Sequence, residues 1–408
     1  MTSLAIFTPS NDAKYLRPLY DSLLAQSDQD WTWTLLHNNG GTPISIEDKR
    51  VTQHSLHTAP EWVGPLKAYV CQMLQEDVLM EVDHDDLLLP DAVAECKKAF
   101  ANPKIGFAYS NALHADADLG NKTEHYSEDF GWKYRKTNFH GNLLEEPISF
   151  DPSPAALSRI WYAPNHFRAF RRSIYEKVGG YPRDMRVLDD QDLMCRMYLE
   201  TEFAHIDRGL YVYRIHGKNS WIIHNQEIQD NVYRLHDKYA ERLALTWARR
   251  SELRALELGG AFARHDGYET VDRRGADICC DLEARWPFDD SSVGVIRAFD
   301  VFEHLPNSLH TMSECYRVLA PGGWIFAQVP STDGRGAFQD PTHKSFWNEN
   351  SWLYYTHSKW AQYIDTPVRF QQARPSYTSE KDEHGVCWTV AHLISLKDGY
   401  RPPGRINI

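Results

Sequence analysis

Residues 78–89 read VLMEVDHDDLLL. Val78-Leu79-Met80 is an apolar run of strand type, and directly after Val82 come Asp83, His84, Asp85 and Asp86. A second apolar run follows. Carboxylates crowded where a buried strand surfaces are costly to desolvate without compensation. A divalent cation supplies it: Mg²⁺ or Mn²⁺ takes oxygen ligands and leaves positions open for substrate phosphates. Asp83 and Asp85, one residue apart, form a D-x-D pattern, with Asp85 the better placed for direct ligation. His84 alternates with them on a strand end and is expected to point away. Acidic triplets also occur in solvated turns, so the surrounding chain has to decide.

Working outward, Leu4-Ala5-Ile6-Phe7 reads as a buried strand and Thr8-Pro9-Ser10-Asn11-Asp12 as a turn. A helix follows, with Leu16, Leu19, Tyr20, Leu23 and Leu24 at helical spacing and Asn11 or Asp12 as its cap. Trp33-Thr34-Leu35-Leu36 is a second strand, ending in the turn His37-Asn38-Asn39-Gly40-Gly41. A helix-like segment over 66–74 leads to the strand at Val78. Strands alternating with helices imply a mostly parallel sheet, in which ligands bind beyond the carboxyl ends of the strands. Residues 83–86 sit at such an end.

The bulk properties set the frame. A chain of 408 residues predicts more than one domain. Its 44 basic and 56 acidic residues give a formal charge of −12, which argues against bulk nucleic-acid binding and against docking on an anionic membrane. Arg168, Arg171 and Arg172 form a local basic cluster, read either as a patch or as a solvated helix face. The seven cysteines form no C-x-x-C pair and are odd in number, as expected of reduced thiols. No apolar run reaches the length of a membrane span, and no secretory leader is evident. The expectation is a cytoplasmic protein without a transmembrane segment.

From Asn225 the pattern changes. Ile228, Val232, Leu235, Tyr239 and Leu243 repeat every three or four residues with charges between them, an amphipathic helix. It is read as a connector over 225–250 between domains at 1–224 and 251–408; a homodimer contact is the alternative. A second strand series follows: Ala255-Leu256-Glu257-Leu258, Glu269-Thr270-Val271-Asp272, 293–299, and 324–329 behind the turn Pro321-Gly322-Gly323. This is a second α/β unit.

Three stretches of the first half, Ile6-Phe7-Thr8-Pro9-Ser10-Asn11, Leu36-His37-Asn38-Asn39-Gly40 and Met80-Glu81-Val82-Asp83-His84-Asp85-Asp86, occur in an order that resembles the family 2 glycosyltransferases of GT-A fold, Rossmann-like transferases of nucleotide-diphospho-sugars. Two later stretches extend the resemblance. Val187-Leu188-Asp189-Asp190-Gln191-Asp192-Leu193 is similar to the E-D-x-D-L signature, preceded by Val178-Gly179-Gly180-Tyr181, and Tyr213-Arg214-Ile215-His216 is similar to the closing Y-R-x-H. The resemblance implies an inverting, metal-dependent transfer of a sugar from a nucleotide-sugar donor to a glycan or other hydroxyl acceptor. It implies that Thr8, Pro9, Asn38, Asn39, Lys67 and Asp83 bind the donor, that Asp85, Asp83 and His216 hold Mn²⁺ or Mg²⁺, and that Asp190 is the catalytic base. A base is needed because the acceptor hydroxyl loses its proton as it attacks the anomeric carbon. Asn38-Asn39 stands where the family carries Asp-Asp, and Asp189 where it carries Glu. Trp161, Tyr162, Asn165 and His166 are read as lining the sugar or acceptor cleft, with ordinary packing the alternative.

The second half resembles class I S-adenosylmethionine-dependent methyltransferases, through Glu257-Leu258-Gly259-Gly260, Val271-Asp272, Phe302-Glu303-His304-Leu305 and Arg317-Val318-Leu319-Ala320-Pro321-Gly322-Gly323. The resemblance implies S-adenosylmethionine at Glu257, Gly259, Asp272 and Asp281. His343, in Gln339-Asp340-Pro341-Thr342-His343-Lys344, is a candidate base for methylating a sugar hydroxyl, or a loop histidine held by backbone. Glu257 and Asp272 are too close in sequence for a glycine turn, a full helix and a strand, which need roughly 25 residues. The first crossover helix is therefore expected to be short or missing. Tethering a methyltransferase to a glycosyltransferase makes sense where both act on one glycan; a scaffold or dimerisation module that binds no cofactor is the competing expectation.

Overall fold

The computed structural model describes residues 2–58, 60, 62–122, 126–160, 163–261 and 264–405. Two compact units divide the chain, residues 1–128 with 132–236, and residues 129–131 with 237–408. Among the described residues no helix is long and apolar enough to cross a membrane. All seven cysteines are free.

The first unit opens with β1 (Leu4–Ser10), α1 (Leu16–Leu24), β2 (Thr32–His37), β3 (Val51–Ser55), α2 (Val63–Cys71) and β4 (Val78–Glu81). β3, β2, β1 and β4 lie side by side and parallel, which is why β1 and β4 are buried along their whole length and read as unbroken apolar runs. β5 (Leu87–Leu88), α3 (Ala92–Ala99), β6 (Ile105–Ala115) and the hairpin β7 (Lys133–Phe139) and β8 (Asn142–Ile148) come next. Then follow α4 (Pro154–Arg159), β9 (Arg168–Arg171), α5 (Arg172–Lys177), α6 (Asp189–Glu200) and β10 (Glu202–Arg214). β9 enters antiparallel between β4 and β6, making one ten-stranded mixed sheet.

Helix α1 buries Leu16, Leu19, Tyr20 and Leu23, but Leu24 is exposed. Neither Asn11 nor Asp12 caps it. The Asp12 carboxylate instead accepts from the Lys14 N–H one turn earlier, and the helix begins after Tyr15 without a side-chain cap. The turn after β2 requires its glycines. Asn39 and Gly40 both adopt positive φ, and a Cβ at Gly41 would lie 2.4 Å from the Ser10 carbonyl oxygen.

After α7 (Ser220–Ile223) comes α8 (Asn225–Arg250), an unbroken helix of 26 residues. Ile228, Val232, Leu235, Tyr239 and Leu243 are all buried along it. The division between the units falls inside α8, after His236, so its first half belongs to one unit and its second half to the other.

The second unit holds β11 (Arg254–Leu258), β12 (Glu269–Asp272), β13 (Ile278–Cys279), β14 (Val293–Phe299), α9 (Ser308–Val318), β15 (Leu319–Pro330), β16 (Phe370–Gln372), β17 (Tyr377–Thr378) and β18 (Trp388–Ser395). The strand order β13-β12-β11-β14-β15-β18-β16 reverses direction between β11 and β14, the switch point of a doubly wound sheet. Pro321-Gly322-Gly323 is a bulge inside β15 rather than a turn before it: pairing with β14 jumps from Val293↔Leu319 to Val295↔Trp324. Between parallel β11 and β12 no helix occurs among the described residues, as the short spacing predicts.

Candidate functional sites

The carboxyl ends of β1, β2 and β4 open on one cavity of about 1140 Å³ in the first unit. Pro9, Asn38, Asn39, Lys67, Asp83, Asp85, Asp190 and His216 all line it, although they span more than half of the unit's sequence. Thr8 does not. Its side chain is fully buried, its hydroxyl donates to the Val82 carbonyl at 2.8 Å, and it accepts from the Trp33 indole N–H at 3.0 Å. The Thr8 side chain thus ties β1 to the residue after β4 and lies outside the cavity's lining.

Strand β4 ends at Glu81, and residues after it turn: the Asp86 N–H donates to the Asp83 carbonyl at 3.3 Å. Strand alternation therefore stops before the acidic cluster, and His84 lines the cavity with Asp83 and Asp85 instead of facing away. The three carboxylates have different partners. Asp86 is buried, accepting from the Arg214 N–H at 2.7 Å and from the Tyr211 hydroxyl at 2.8 Å. The same Tyr211 oxygen accepts from the Asp83 N–H at 3.1 Å. Asp86 is a clip between the acidic turn and β10; burial, then the charges of Asp85 and Asp83, push its pKa well up.

Asp85 and His216 meet directly. His216 Nδ1 accepts from the Lys218 N–H at 3.3 Å, so Nε2 carries the proton that bonds Asp85 Oδ2 at 2.7 Å. Asn219 fixes the loop by accepting from the His216 N–H and donating to the Arg214 carbonyl. The Tyr15 ring stacks on the imidazole, with centroids 6.1 Å apart and planes 7° apart. Asp83 does not join Asp85 and His216 in a cluster of ligand atoms within 4.8 Å. Its pKa is pushed up to about 7 by burial and by the charges of Glu81 and Asp85, against the pull of Lys67 and Arg168.

Deeper in the site, the Lys67 ammonium pairs with Glu81 at 2.5 Å, and the Tyr181 hydroxyl donates to the same carboxylate at 2.8 Å. Burial opposes the lysine's charge, but Glu81, Asp189, Asp83 and Asp190 overcome it and hold the ammonium protonated.

Asp190 pairs with Arg168, and its other oxygen accepts from the Gln191 N–H at 2.8 Å. Burial would raise its pKa; Arg168 and Lys67 outweigh that and keep it below the ordinary carboxylate value. Asp189 goes the other way, up to about 7, through burial and the charges of Asp190 and Glu81, with Lys67 opposing. Both follow Leu188, which holds a left-handed φ of 64° although it is buried and not glycine. Such a conformation persists only where surrounding structure enforces it, at a cost of about 1–3 kcal/mol.

Arg168 is the residue that sequence reading misplaced. It is buried in β9, not on a solvated helix face, and its Nε donates to the Pro164 carbonyl at 2.9 Å. Arg171 and Arg172 likewise donate to the backbone carbonyls of Ile105 and Glu76. The three form no basic patch. His166 and Asn165 line the cavity as expected; Trp161 and Tyr162 lie outside the described residues. His166 is held neutral by burial and then by Arg168 and Lys67. Its Nδ1, Asn165 Nδ2, Asp189 Oδ2 and Gln191 Oε1 are buried polar atoms with no partner. Native interiors rarely leave such atoms unpaired without a ligand, water or ion to meet them.

In the second unit the expected cofactor residues are engaged with protein. Glu257 is buried and accepts from His265 Nδ1 at 2.6 Å and Arg297 Nε at 3.1 Å. At Gly259 the Cβ position is filled by Val301, whose Cγ2 would lie 2.3 Å away. Asp272 accepts from the Arg273 N–H at 2.6 Å. Exposed Asp281 pairs with Arg273 at 3.1 Å, and its pKa is lowered by the Glu283 N–H and then by Arg273. His343 is elsewhere, on the loop after β15. Its Nδ1–H donates to the Ala337 carbonyl at 2.9 Å and its Nε2 faces Glu303 at 3.9 Å. Glu303 is raised to about 8 by burial and then by the charges of Asp300 and Asp340.

The fold is mixed α/β in both units, and residues 252–327 of the second unit match a methyltransferase domain family. Among curated proteins, a probable S-adenosylmethionine-dependent methyltransferase of Mycolicibacterium smegmatis is 36% identical over 80 residues. That match covers 19% of this chain and 29% of the relative, so the chain spans under a third of that protein's length. Among solved structures, Staphylococcus aureus TarS residues 1–349 with UDP-GlcNAc is similar at 11% identity and TM-score 0.42, over 65% of this chain and 74% of that one. Full TarS aligns over 61% of this chain and 43% of its own, at 12% identity and TM-score 0.41. The mannosyltransferase PcManGT of Pyrobaculum calidifontis, solved with GDP-Man and Mn²⁺, is similar at 13% identity and TM-score 0.35, over 61% and 76%. Overlaps this slight leave the first unit's function to be argued from its own geometry.

Proposed function

We propose that the first unit is a metal-dependent, inverting glycosyltransferase that moves a sugar from a nucleoside-diphosphate sugar to a hydroxyl acceptor. The observation that carries this reading is the convergence on one cavity of a carboxylate–imidazole pair, an ionised base and three buried, unpartnered polar atoms, His166 Nδ1, Asn165 Nδ2 and Asp189 Oδ2. Sugars present many hydroxyls, and unpaired donors and acceptors in a dry wall suit them.

Asp85 would hold a hard divalent ion, since Mg²⁺ and Mn²⁺ commonly take few protein ligands, and His216, whose Nε2–H orients that carboxylate, would join as a ligand only in its other tautomer. Such an ion supplies charge neutralisation at the departing diphosphate. The chain's own residues do the rest. Pro9, Asn38 and Asn39, which line the cavity, would meet the nucleoside. Lys67, fixed by Glu81, places a positive charge in the cavity wall. Asp190, kept ionised and oriented by Arg168, accepts the proton of the acceptor hydroxyl. The oxygen bonds to the anomeric carbon as the nucleoside diphosphate leaves from the opposite face, which inverts that centre.

Asp190→Asn keeps the volume and the Gln191 contact but cannot take a proton. It is expected to lower transfer by about 10²–10⁴-fold while donor binding persists. Turnover within threefold of the parent in a radiolabelled donor assay overturns the assignment.

For the second unit, the match over 252–327 supports methylation of the transferred sugar with S-adenosylmethionine. The lack of a crossover helix among the described residues, the engaged Glu257 and the packing of Val301 over Gly259 favour the second reading, a scaffold or dimerisation module. Calorimetry with S-adenosylhomocysteine separates them: heat of binding supports the first, and its absence the second.

A further inference from the structure

Two loops of the second unit meet at the carboxyl edge of the sheet. One follows β14 and carries Glu303 and His304; the other follows β15 and carries His343. The loops are stapled together, because the Lys344 and Ser345 N–H groups donate to the Glu303 carbonyl at 2.6 and 3.0 Å, and the Ser345 hydroxyl donates to the Phe302 carbonyl at 2.9 Å.

Three ligand atoms converge there. His304 Nε2 and His343 Nε2 each lie 3.9 Å from Glu303 Oε1, and one ligand atom from each of the three residues lies within 4.8 Å of the others. The hydrogen bonds behind the rings fix what these atoms are. His343 Nδ1 faces the Ala337 carbonyl at 2.9 Å, so it must carry the proton. The Thr342 hydroxyl donates to Asp340 at 2.7 Å, which leaves its oxygen to accept from His304 Nδ1 at 3.1 Å. In these tautomers each ring turns its Nε2 toward the glutamate. Glu303 is 2% exposed and its Oε2 has no partner.

Whenever Glu303 is ionised, two lone pairs and a carboxylate face one another without a donor and repel. A cation relieves that, and histidines that ligate metals nearly always donate their other N–H to a carbonyl or a similar acceptor. Separations of 3.9 Å, and a third within 4.8 Å, are wider than the edge of about 3.4 Å of a tetrahedron with bonds of about 2.1 Å, so the side chains draw in by roughly half an ångström to an ångström to close the site. Imidazoles with one carboxylate suit zinc, manganese, iron or cobalt rather than calcium. The side chain of His304 is 40% exposed, which leaves an approach from solvent.

We propose that Glu303, His304 and His343 form a binding site for a divalent transition-metal ion, separate from Asp85 and His216, with its remaining positions open to oxygen ligands. The test uses the untagged full chain carrying Asp85→Asn and His216→Ala, which removes the first unit's pair. After metal stripping, titration with Co²⁺ and with Zn²⁺ should show one ion per chain, and Co²⁺ should develop the visible absorption of a low-coordinate nitrogen–oxygen site. Adding Glu303→Gln or His343→Gln should weaken binding at least 100-fold, and Thr342→Val, which frees only the His304 tautomer, about 10-fold. Circular dichroism confirms that each variant is folded; Glu303→Gln preserves shape and remains decisive if a histidine variant is not. No bound ion in the Asp85→Asn, His216→Ala chain overturns the proposal and makes a proton the occupant. Unchanged affinity in Glu303→Gln overturns it equally.

Discussion

The two units present the same kind of sheet edge, yet they use it differently. In the first, the loops beyond β1, β2 and β4 surround a large cavity whose walls hold polar atoms without partners. In the second, residues at the switch between β11 and β14 already have protein partners: Glu257 accepts from Arg297, and Val301 packs against Gly259. Strand order alone therefore marks where a ligand site belongs in such a sheet, while the pairing state of the side chains tells whether the position is still available. In the second unit an unpartnered carboxylate oxygen, Glu303 Oε2, lies instead on the loop after β14.

The largest test of that contrast is Lys67→Met. It leaves Glu81 buried without its counter-charge, and breaking a buried pair from one side costs about 3–5 kcal/mol. Chemical denaturation of the full chain, followed by loss of donor binding, reads it. A cost below 1 kcal/mol would mean that the cavity floor is wetter than its burial indicates. A pH series sharpens the same point at Asp189. Its carboxyl titrates at about 7 when folded against 3.8 in the unperturbed group, so the folded chain binds that proton more tightly. This stabilisation is whole below pH 3.8 and is lost as pH rises through about 7, up to about 4 kcal/mol in all. Asp189→Asn should flatten the fall between pH 4 and 7; an unaltered profile removes Asp189 as its source.

Ligands probe the comparison directly. UDP, GDP, dTDP and CDP sugars with Mn²⁺ should include at least one that stabilises the chain by about 2.7 kcal/mol at a hundredfold excess over its Kd, and only with metal present. S-adenosylhomocysteine at the same concentration should give no thermal shift if the residues at the switch keep their protein partners. A shift with the cofactor and none with any donor would invert the contrast between the units.

Much of this arrangement is legible in the sequence alone. β1, β2 and β4 read correctly because central parallel strands are apolar throughout, and a short or missing crossover helix, of which none occurs among the described residues, follows from the spacing of Glu257 and Asp272. Pro9, Asn38, Asn39, Lys67, Asp83, Asp85, Asp190 and His216 share one cavity because loops at one sheet edge must meet. What failed was local. His84 was assigned by strand alternation, but the strand stops at Glu81. Arg168 was grouped with its neighbours in sequence, although its partner Asp190 lies 22 residues away. The clip made by Asp86 was invisible, because nothing in three adjacent acids tells which one faces Tyr211. The histidine tautomers that define the Glu303 cluster depend on Thr342 and Ala337, and no residue pattern encodes a hydrogen-bond direction.

Thr8 gives the smallest and sharpest test, because the sequence and the geometry assign it opposite duties. A donor-binding threonine would lose affinity for nucleotide sugar when replaced and leave stability almost unchanged. The hydroxyl seen here joins the Val82 carbonyl to the Trp33 indole inside the sheet. Thr8→Val keeps the shape, deletes both bonds and leaves the indole N–H buried without an acceptor, which costs about 1–3 kcal/mol. The expected result is a chain of lower stability with the donor Kd within twofold of the parent. Asn38→Ala is the paired control, since Asn38 lines the cavity and its side-chain amide bonds only the Leu36 carbonyl, at a long 3.3 Å. It should weaken donor binding by more than it lowers stability. If Thr8→Val instead raised the donor Kd tenfold at unchanged stability, the hydroxyl would belong to the ligand, and the wall of the cavity would have to be redrawn to include it.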